Sequence, residues 1–285
     1  MTAWRSLLFV PANDARRLAT IHTRGADAVI LDLEDGVAPE AKAAAREGLA
    51  AAIADLAAKG CEVMVRINHP WRLALADLEV AVRADVRALL IPKVETAGRL
   101  SAISEIVGEL EAERDLDPGA LGLIALIETP AALDAMSGIA AVPRAVGLAL
   151  GSEDFSLALG VPPSLDSLHL PCKMVALAAA GRGLAALALP GTIAEFRDLD
   201  AYAASVRAAR AVGATGALCI HPAQAPILNA GFSPSDADQA WARAVLAAWD
   251  SPERNGRGVV AMEGSMIDLP VVERARRLLA AARSG

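Results

Sequence analysis

The chain has 285 residues, 54% of them hydrophobic, 21% charged and only 3% aromatic, with a formal net charge of −7. That is enough for one large domain, or a domain with an appendage, whose core is built from small and branched aliphatics. The acidic balance argues against a nucleic-acid partner, which ordinarily leaves a basic footprint, and no apolar stretch is long enough to suggest a membrane span.

In chain order, eight short apolar runs alternate with helical stretches. They are "SLLFV" (6–10), "AVILDL" (28–33), "EVMVRIN" (62–68), "ALLIPKV" (88–94), "LGLIALIE" (121–128), "AVGLALG" (145–151), "GLAALAL" (183–189) and "GALCIHP" (216–222). None shows clean alternation, which suits strands covered on both faces, as in a parallel sheet. The seventh is the least distinct, since the "CKMVALAAAG" before it continues a helix as far as Gly181. The stretch 39–60 opens on Pro39-Glu40 and closes on Gly60, as a capped helix does. The stretch 198–214 plays the same part before the eighth run. Eight strands alternating with helices predict a (β/α)₈ barrel.

Beyond it the sequence predicts a helix over 233–250 with Ser at its cap, and Trp241 and Trp249 on one buried face. A Gly-rich turn over 254–270 and a last basic helix, "VVERARRLLAAAR", follow. The expected division is a catalytic barrel over 1–230 and a helical extension and lid over 231–285. The opening "MTAWRSLLFVPAND" lacks the length of a signal sequence. Cys61, Cys172 and Cys219 form neither a CxxC pair nor a zinc spacing, and read as reduced thiols. The expected location is the cytoplasm.

In such a barrel the active site lies at the C-terminal ends of the strands. The polar residues found there are Asp32, Glu34 and Asp35 on run two, Arg66 and Asn68 on run three, and Lys93 and Glu95 on run four. Glu128 ends run five, Glu153 and Asp154 follow run six, and His221 ends run eight. Acids outnumber bases, and carboxylates without paired cysteines or histidines favour a hard cation, Mg²⁺ or Mn²⁺. Each residue also has a plainer reading. Arg66 suits a structural partner of Asp32 or Glu34. Glu128 flanks a helix that Thr129 would cap, Ser152 or Asp154 would cap the next, and Asp268 would cap the last. His69 follows a strand end near the rim, and His221 reads equally as a structural hydrogen-bonder or a catalyst.

Taken together, "RSLLFVPAND", "VILDLEDGVAPE", "VMVRIN", "IPKVE", "LIALIET", "LALGSEDF", "CIHPAQ" and "SMIDLPVVERAR" occur in order. They resemble the citrate lyase β-subunit-like family, which includes malyl-CoA and citramalyl-CoA lyases, within the HpcH/HpaI aldolase superfamily. The resemblance implies a Mg²⁺-dependent carbon–carbon lyase that cleaves or forms a 3-hydroxyacyl-CoA thioester, with an acyl-CoA and a 2-keto acid as partners. It implies a homotrimer or a dimer of trimers. Matched by motif, Glu128 and Asp154 would hold the metal, and Glu128 would also face substrate. Arg66 would bind the keto-acid carboxylate, and Glu34 and Asp35 would line that pocket. Asp268 would serve a neighbouring subunit as acid/base. Arg5, Arg16 or Arg17, and Lys42 would lie near the nucleotide end of CoA. The chain departs from the family pattern at Ala12, Pro190, Ala217 and Ala223. Those departures keep two alternatives open, a CoA-independent keto-acid aldolase and a citrate lyase β subunit acting on a carrier-bound thioester.

Overall fold

The computed structural model describes residues 4–251, 258–262 and 264–283. All eight predicted strands form: β1 Ser6–Pro11, β2 Ala28–Asp32, β3 Val63–Arg66, β4 Val86–Ile91, β5 Gly122–Ile127, β6 Ala145–Leu150, β7 Ala185–Leu187 and β8 Ala217–Cys219. Most end short of the predicted run, because the polar residues at the end of each run belong to the loops of the barrel mouth. Between and after the strands lie α1 Ala15–Ile21, α2 Lys42–Ala58, α3 Trp71–Ala81, α4 Ala97–Glu113, α5 Pro130–Ile139, α6 Ser152–Leu159, α7 Leu165–Ala180, α8 Leu199–Ala211 and α9 Gln224–Phe232. The predicted 39–60 helix begins as one 3₁₀ turn, Pro39–Ala41, before α2.

The sheet is parallel throughout, in the order β7-β6-β5-β4-β3-β2-β1-β8. Its ends meet where the Ala188 N–H donates to the Gly216 carbonyl (3.0 Å) and the Thr215 N–H to that of Ala186 (2.8 Å). This is a (β/α)₈ barrel with a sparse seam between two three-residue strands.

Alternation survives inside the barrel even though the sequence conceals it. Leu7, Ala28, Ile30, Met64, Ala88, Leu90, Ile124, Leu126, Ala149 and Leu218 form the interior cluster. Successive side chains of a strand point to opposite faces. The inward series therefore runs Ala28–Ile30–Asp32, Met64–Arg66, Ile124–Leu126–Glu128 and Ala149–Gly151. Each series passes from aliphatic core to charged or bare positions as it nears the mouth. The outward positions are apolar too, because helices cover them, and so the period of two is lost in the sequence.

Trp4–Ala230 make up the barrel unit, and the described residues from Gly231 onwards form a second compact unit. The second unit holds α10 Asp236–Trp249, a hairpin of β9 Val260–Met262 and β10 Ser265–Ile267, and α11 Leu269–Arg283. Ser235 caps α10 in a reciprocal box with Asp238. Ala242, Val245, Ile267, Val272 and Ala275 are its core. Trp241 and Trp249 pack on that core but are half-buried, not fully buried as expected, and Arg274 stands over the Trp241 ring at 4.6 Å. Residues 252–257 and 263, within or just before the predicted Gly-rich turn, lie outside the described residues.

Candidate active site

The mouth of the barrel opens into a cavity of about 620 Å³, ordinary for a small-molecule site. Asp32, Asp35, Arg66, Glu128 and Asp154 all line it.

Asp32 and Arg66 are register partners on β2 and β3, so both side chains rise from the same face side by side. The Arg66 Nε and Nη2 donate to the two Asp32 carboxylate oxygens, each at 2.7 Å. The same oxygens accept from the Glu34 N–H (2.9 Å) and the Gly36 N–H (2.8 Å). Asp32 thus fixes both the arginine and the loop after β2. A Cβ on Gly36 would come within 2.5 Å of that carboxylate, which accounts for the glycine in "LEDGV". Phe9 lies under the guanidinium at 4.7 Å. The structural reading of Arg66 is therefore correct, and it leaves Nη1 turned toward Glu34 (3.1 Å) and Asp35 (3.7 Å).

Glu34 is buried, and its Oε2 makes no aligned hydrogen bond despite its closeness to Arg66. Burial pushes its carboxyl up to about 8, against the pull of Arg66 and with help from Glu128. Asp35 is exposed.

Glu128 is 3% exposed. Its Oε2 accepts the Lys93 N–H at 2.7 Å. Lys93 holds a left-handed backbone, φ 51°, unusual for a residue with a side chain. That turn aims the amide at Glu128, while the Lys93 Nζ lies 3.8 Å from the Asp154 Oδ1. Burial, and then Asp154, raise the Glu128 carboxyl to about 7, although the Lys93 amide opposes the rise. Asp154 sits in the first turn of α6, behind a Gly151 N-cap that carries no side chain. Neither Ser152 nor Asp154 is the cap. Thr129 does cap α5 in position, but its hydroxyl donates to Glu95 (2.8 Å).

Burial thus holds two carboxyls above their ordinary range, and one buried carboxyl oxygen, Glu34 Oε2, has no hydrogen-bond donor. Among the described residues no group of three or more His, Cys, Asp or Glu side chains is placed to hold a metal. The carboxylates that could hold an ion are Glu128 and Asp154, which both line the cavity. A pair of hard oxygen donors fits Mg²⁺, which commonly keeps several waters beside one or two carboxylates.

The model of one family, HpcH/HpaI aldolase/citrate lyase, matches residues 5–222, which is most of the chain. The chain belongs to that family. It is 36% identical to a citrate lyase subunit beta-like protein of Deinococcus radiodurans over 282 residues, 96% of each chain. It is 33% identical to a (3S)-malyl-CoA thioesterase of Cereibacter sphaeroides, covering 99% of this chain and 95% of that one. The crystal structure of protein CitE from Mycobacterium tuberculosis in complex with magnesium, acetoacetate and coenzyme A superposes with a TM-score of 0.77. It is 32% identical and covers 98% of this chain and 97% of that one.

Within this family member, several sequence-derived residues do not line the cavity: Glu34 stands behind Arg66, and Arg5 and Lys42 are taken up elsewhere. Arg5 precedes β1, at the end of the barrel opposite the mouth. Its guanidinium forks onto Asp27 at 2.9 and 2.7 Å. Lys42, at the start of α2, donates through Nζ to the Leu33 and Glu34 carbonyls, both at 2.9 Å, and so braces the loop from behind. A basic residue near a strand does not reveal which end of the barrel it serves, as with Arg5; Lys42 stands on the mouth side, but the loop carbonyls take up its ammonium. Asn68 likewise braces that loop, donating to the Leu33 carbonyl and to fully buried Asp77. His69 does not line the cavity; its carbonyl accepts from Arg99. Asp268 belongs to the second unit, where its Oδ1 accepts the Val271 N–H at 3.3 Å at the start of α11.

Residue types alone did not flag Gly151, Phe196 or Gln224. Gly151 is next in the inward series of β6 and lies under Glu128. A Cβ there would stand 2.5 Å from the Glu128 Cγ and 2.7 Å from Oε1. Glu128 is buried and tied to Lys93, so it has little room to yield. We expect Gly151→Ala to weaken Mg²⁺ binding at least tenfold and lower kcat/KM by roughly 10²-fold, the cost typical of a small misplacement at a reacting centre. Titration calorimetry and steady-state rates check this; unchanged metal affinity would show that Glu128 has freedom it lacks here.

Proposed function

We propose that the chain is a Mg²⁺-dependent carbon–carbon lyase that cleaves, or forms, a 3-hydroxyacyl-CoA thioester of the malyl or citramalyl type, releasing a 2-keto acid. The observation that carries this reading is the convergence of Glu128, Asp154 and Arg66 on one cavity. A second cavity of about 460 Å³ shares Phe9, Arg17, Ile220 and His221 with it and is lined by Arg16, Arg17 and Arg24. Three guanidiniums suit the phosphates of CoA. Of the proteins named above, one is a (3S)-malyl-CoA thioesterase and another is a complex with coenzyme A.

Glu128 and Asp154 would hold the ion. Bound there, Mg²⁺ supplies Lewis-acid stabilisation of charge developing on the substrate hydroxyl oxygen. Arg66 meets the keto-acid carboxylate with its Nη1 side, because Asp32 occupies the Nε–Nη2 edge. That pinning fixes the direction of the guanidinium before substrate arrives and removes an ordering cost from binding. Glu34, whose carboxyl burial pushes up to about 8 in the metal-free fold, stands behind this edge with its Oε2 3.1 Å from Nη1. The hydroxyl proton passes to a base, for which the family resemblance nominates Asp268 of a neighbouring copy in a homotrimer. The C–C bonding pair moves onto the acyl thioester, which leaves as an enolate and takes up a proton.

The pH dependence follows from the raised carboxyls. In the unfolded chain Glu128 and Glu34 titrate near 4.3, and in the metal-free fold at about 7 and about 8. The folded state holds protons longer, so the stability these groups contribute is full below about pH 4 and is lost as pH rises through 7 to 8. Metal binding displaces protons. The rise in Tm on adding saturating Mg²⁺ should therefore be larger at pH 8 than at pH 6. An equal rise at both would count against Glu128 as a ligand.

The test of function is a screen of the purified chain with Mg²⁺ against malyl-, citramalyl-, citryl- and 3-hydroxy-3-methylglutaryl-CoA, reading keto-acid release. Release from one or more supports the reading. Activity only on free 4-hydroxy-2-keto acids, or only on carrier-bound thioesters, would replace it with one of the alternatives.

A further inference from the structure

Beyond the ends of β7 and β8, the wall of the cavity is built around one side-chain amide. Gln224, at the start of α9, is fully buried. Its Oε1 accepts the N–H groups of Ile220 and His221, both at 3.0 Å. Its Nε2 donates to the carbonyls of Ile193 (2.9 Å) and Glu195 (3.3 Å). One side-chain amide thus continues the β7–β8 pairing above the point where those short strands stop. Glu153 holds the same β7 loop from the other side, accepting from the Thr192 hydroxyl (2.6 Å) and the Ile193 N–H (3.2 Å). The loop so pinned brings Phe196 flat against His221, with ring centroids 4.4 Å apart and planes 12° from parallel.

The stack fixes the plane of the imidazole, and a further contact fixes its tautomer. His221 Nδ1 accepts the Ala223 N–H at 3.2 Å, so in the neutral ring the proton sits on Nε2. His221 lines both the acidic cavity and the arginine-lined one, together with Phe9, Arg17 and Ile220. It therefore stands at the passage between the place for the keto acid and the place for phosphates. In a CoA ester whose two ends occupy those cavities, the thioester is the part that crosses the passage.

From this geometry we propose that His221 is a further catalytic residue, whose Nε2–H donates to the thioester carbonyl oxygen. Gln224 and Phe196 are its positioning residues. When the C–C bond breaks, its electron pair moves into the thioester and the carbonyl oxygen becomes the enolate oxygen. A fixed donor there bonds more strongly to the enolate than to the carbonyl of the intact substrate, and that difference lowers the barrier. No proton leaves the imidazole in this step. The proposal rests on the CoA-lyase reading of the same cavity.

The experiment pairs turnover with a spectroscopic signature. Wild type, His221→Ala and His221→Gln are compared with Mg²⁺ and the best thioester of the screen. In parallel, acetyl-CoA carrying ¹³C at the thioester carbonyl is bound to each protein and its C=O stretch recorded by infrared difference spectroscopy. Expected are a kcat lower by about 10²–10³-fold in His221→Ala, the usual cost of one such donor, and partial recovery in His221→Gln, which keeps an N–H. Mg²⁺ and pyruvate affinity should be unchanged. The C=O band should fall in frequency on binding wild type and not on binding His221→Ala. The Phe196→Leu variant, which leaves His221 in place without its stack, should lose part of both effects. Equal kcat in wild type and His221→Ala, or an equal band shift, overturns the proposal and leaves the lyase reading standing. Failure of wild type to bind acetyl-CoA or cleave any thioester overturns both.

Discussion

Glu128→Gln is expected to abolish turnover, a loss of at least 10³-fold, and to remove measurable Mg²⁺ binding while leaving the barrel folded. The substitution keeps the size of the side chain, and its amide oxygen still accepts the Lys93 N–H that now reaches Oε2 at 2.7 Å. What it removes is the negative charge, and with it one of two anionic donors to a hard cation. The metal-free protein should become more stable above neutral pH, because ionising a carboxyl that burial holds at about 7 no longer opposes folding. Loss of metal binding with a raised Tm at pH 8 is therefore the joint signature. A variant that keeps activity would remove Glu128 from the site, and a lowered Tm would show that its role is structural.

Arg66→Ala is expected to do two kinds of damage. It leaves Asp32 buried without its partner, and removing one member of a buried pair costs about 3–5 kcal/mol. It also frees the loop after β2, since the carboxylate that organises Glu34 and Gly36 loses its anchor. Thermal denaturation should show the first effect. The second should appear as a rise in KM for the keto acid of at least 10²-fold in the condensation direction. The double variant Arg66→Met with Asp32→Leu separates them, since it removes both charges together. It should recover only part of the lost stability, since the Glu34 and Gly36 N–H groups lose their acceptor with Asp32, and none of the activity. If it recovered activity as well, the arginine would be a structural element and no clamp.

These expectations depend on features that were unequally visible in the sequence. The eight strands were legible because short apolar runs between capped helical stretches are a strong signal in a large parallel barrel. The acids of "LDLEDGV" and "SED" were legible because charge at the end of a buried run has to be accounted for. The division of labour among them was not. Both Asp32 and Glu34 are buried, but Asp32 proved to be the internal anchor and Glu34 the carboxyl with an unpaired oxygen, a distinction set by register with Arg66 across the sheet and not by spacing along the chain. Arg5 and Lys42 were misplaced because contacts with Asp27 and with two carbonyls lie across loops that no local pattern encodes. Gly151 and Gln224 were silent for a different reason. One matters for the side chain it lacks, and the other for a four-way hydrogen-bond bridge that forms only when the barrel closes.

The most direct measurement is a crystal structure of the chain soaked with Mn²⁺ in place of Mg²⁺, read by anomalous scattering. One peak within bonding distance of carboxylate oxygens from both Glu128 and Asp154 is the result expected. A peak elsewhere, or none at saturating Mn²⁺, would contradict the assignment of this cavity as the metal centre of a lyase.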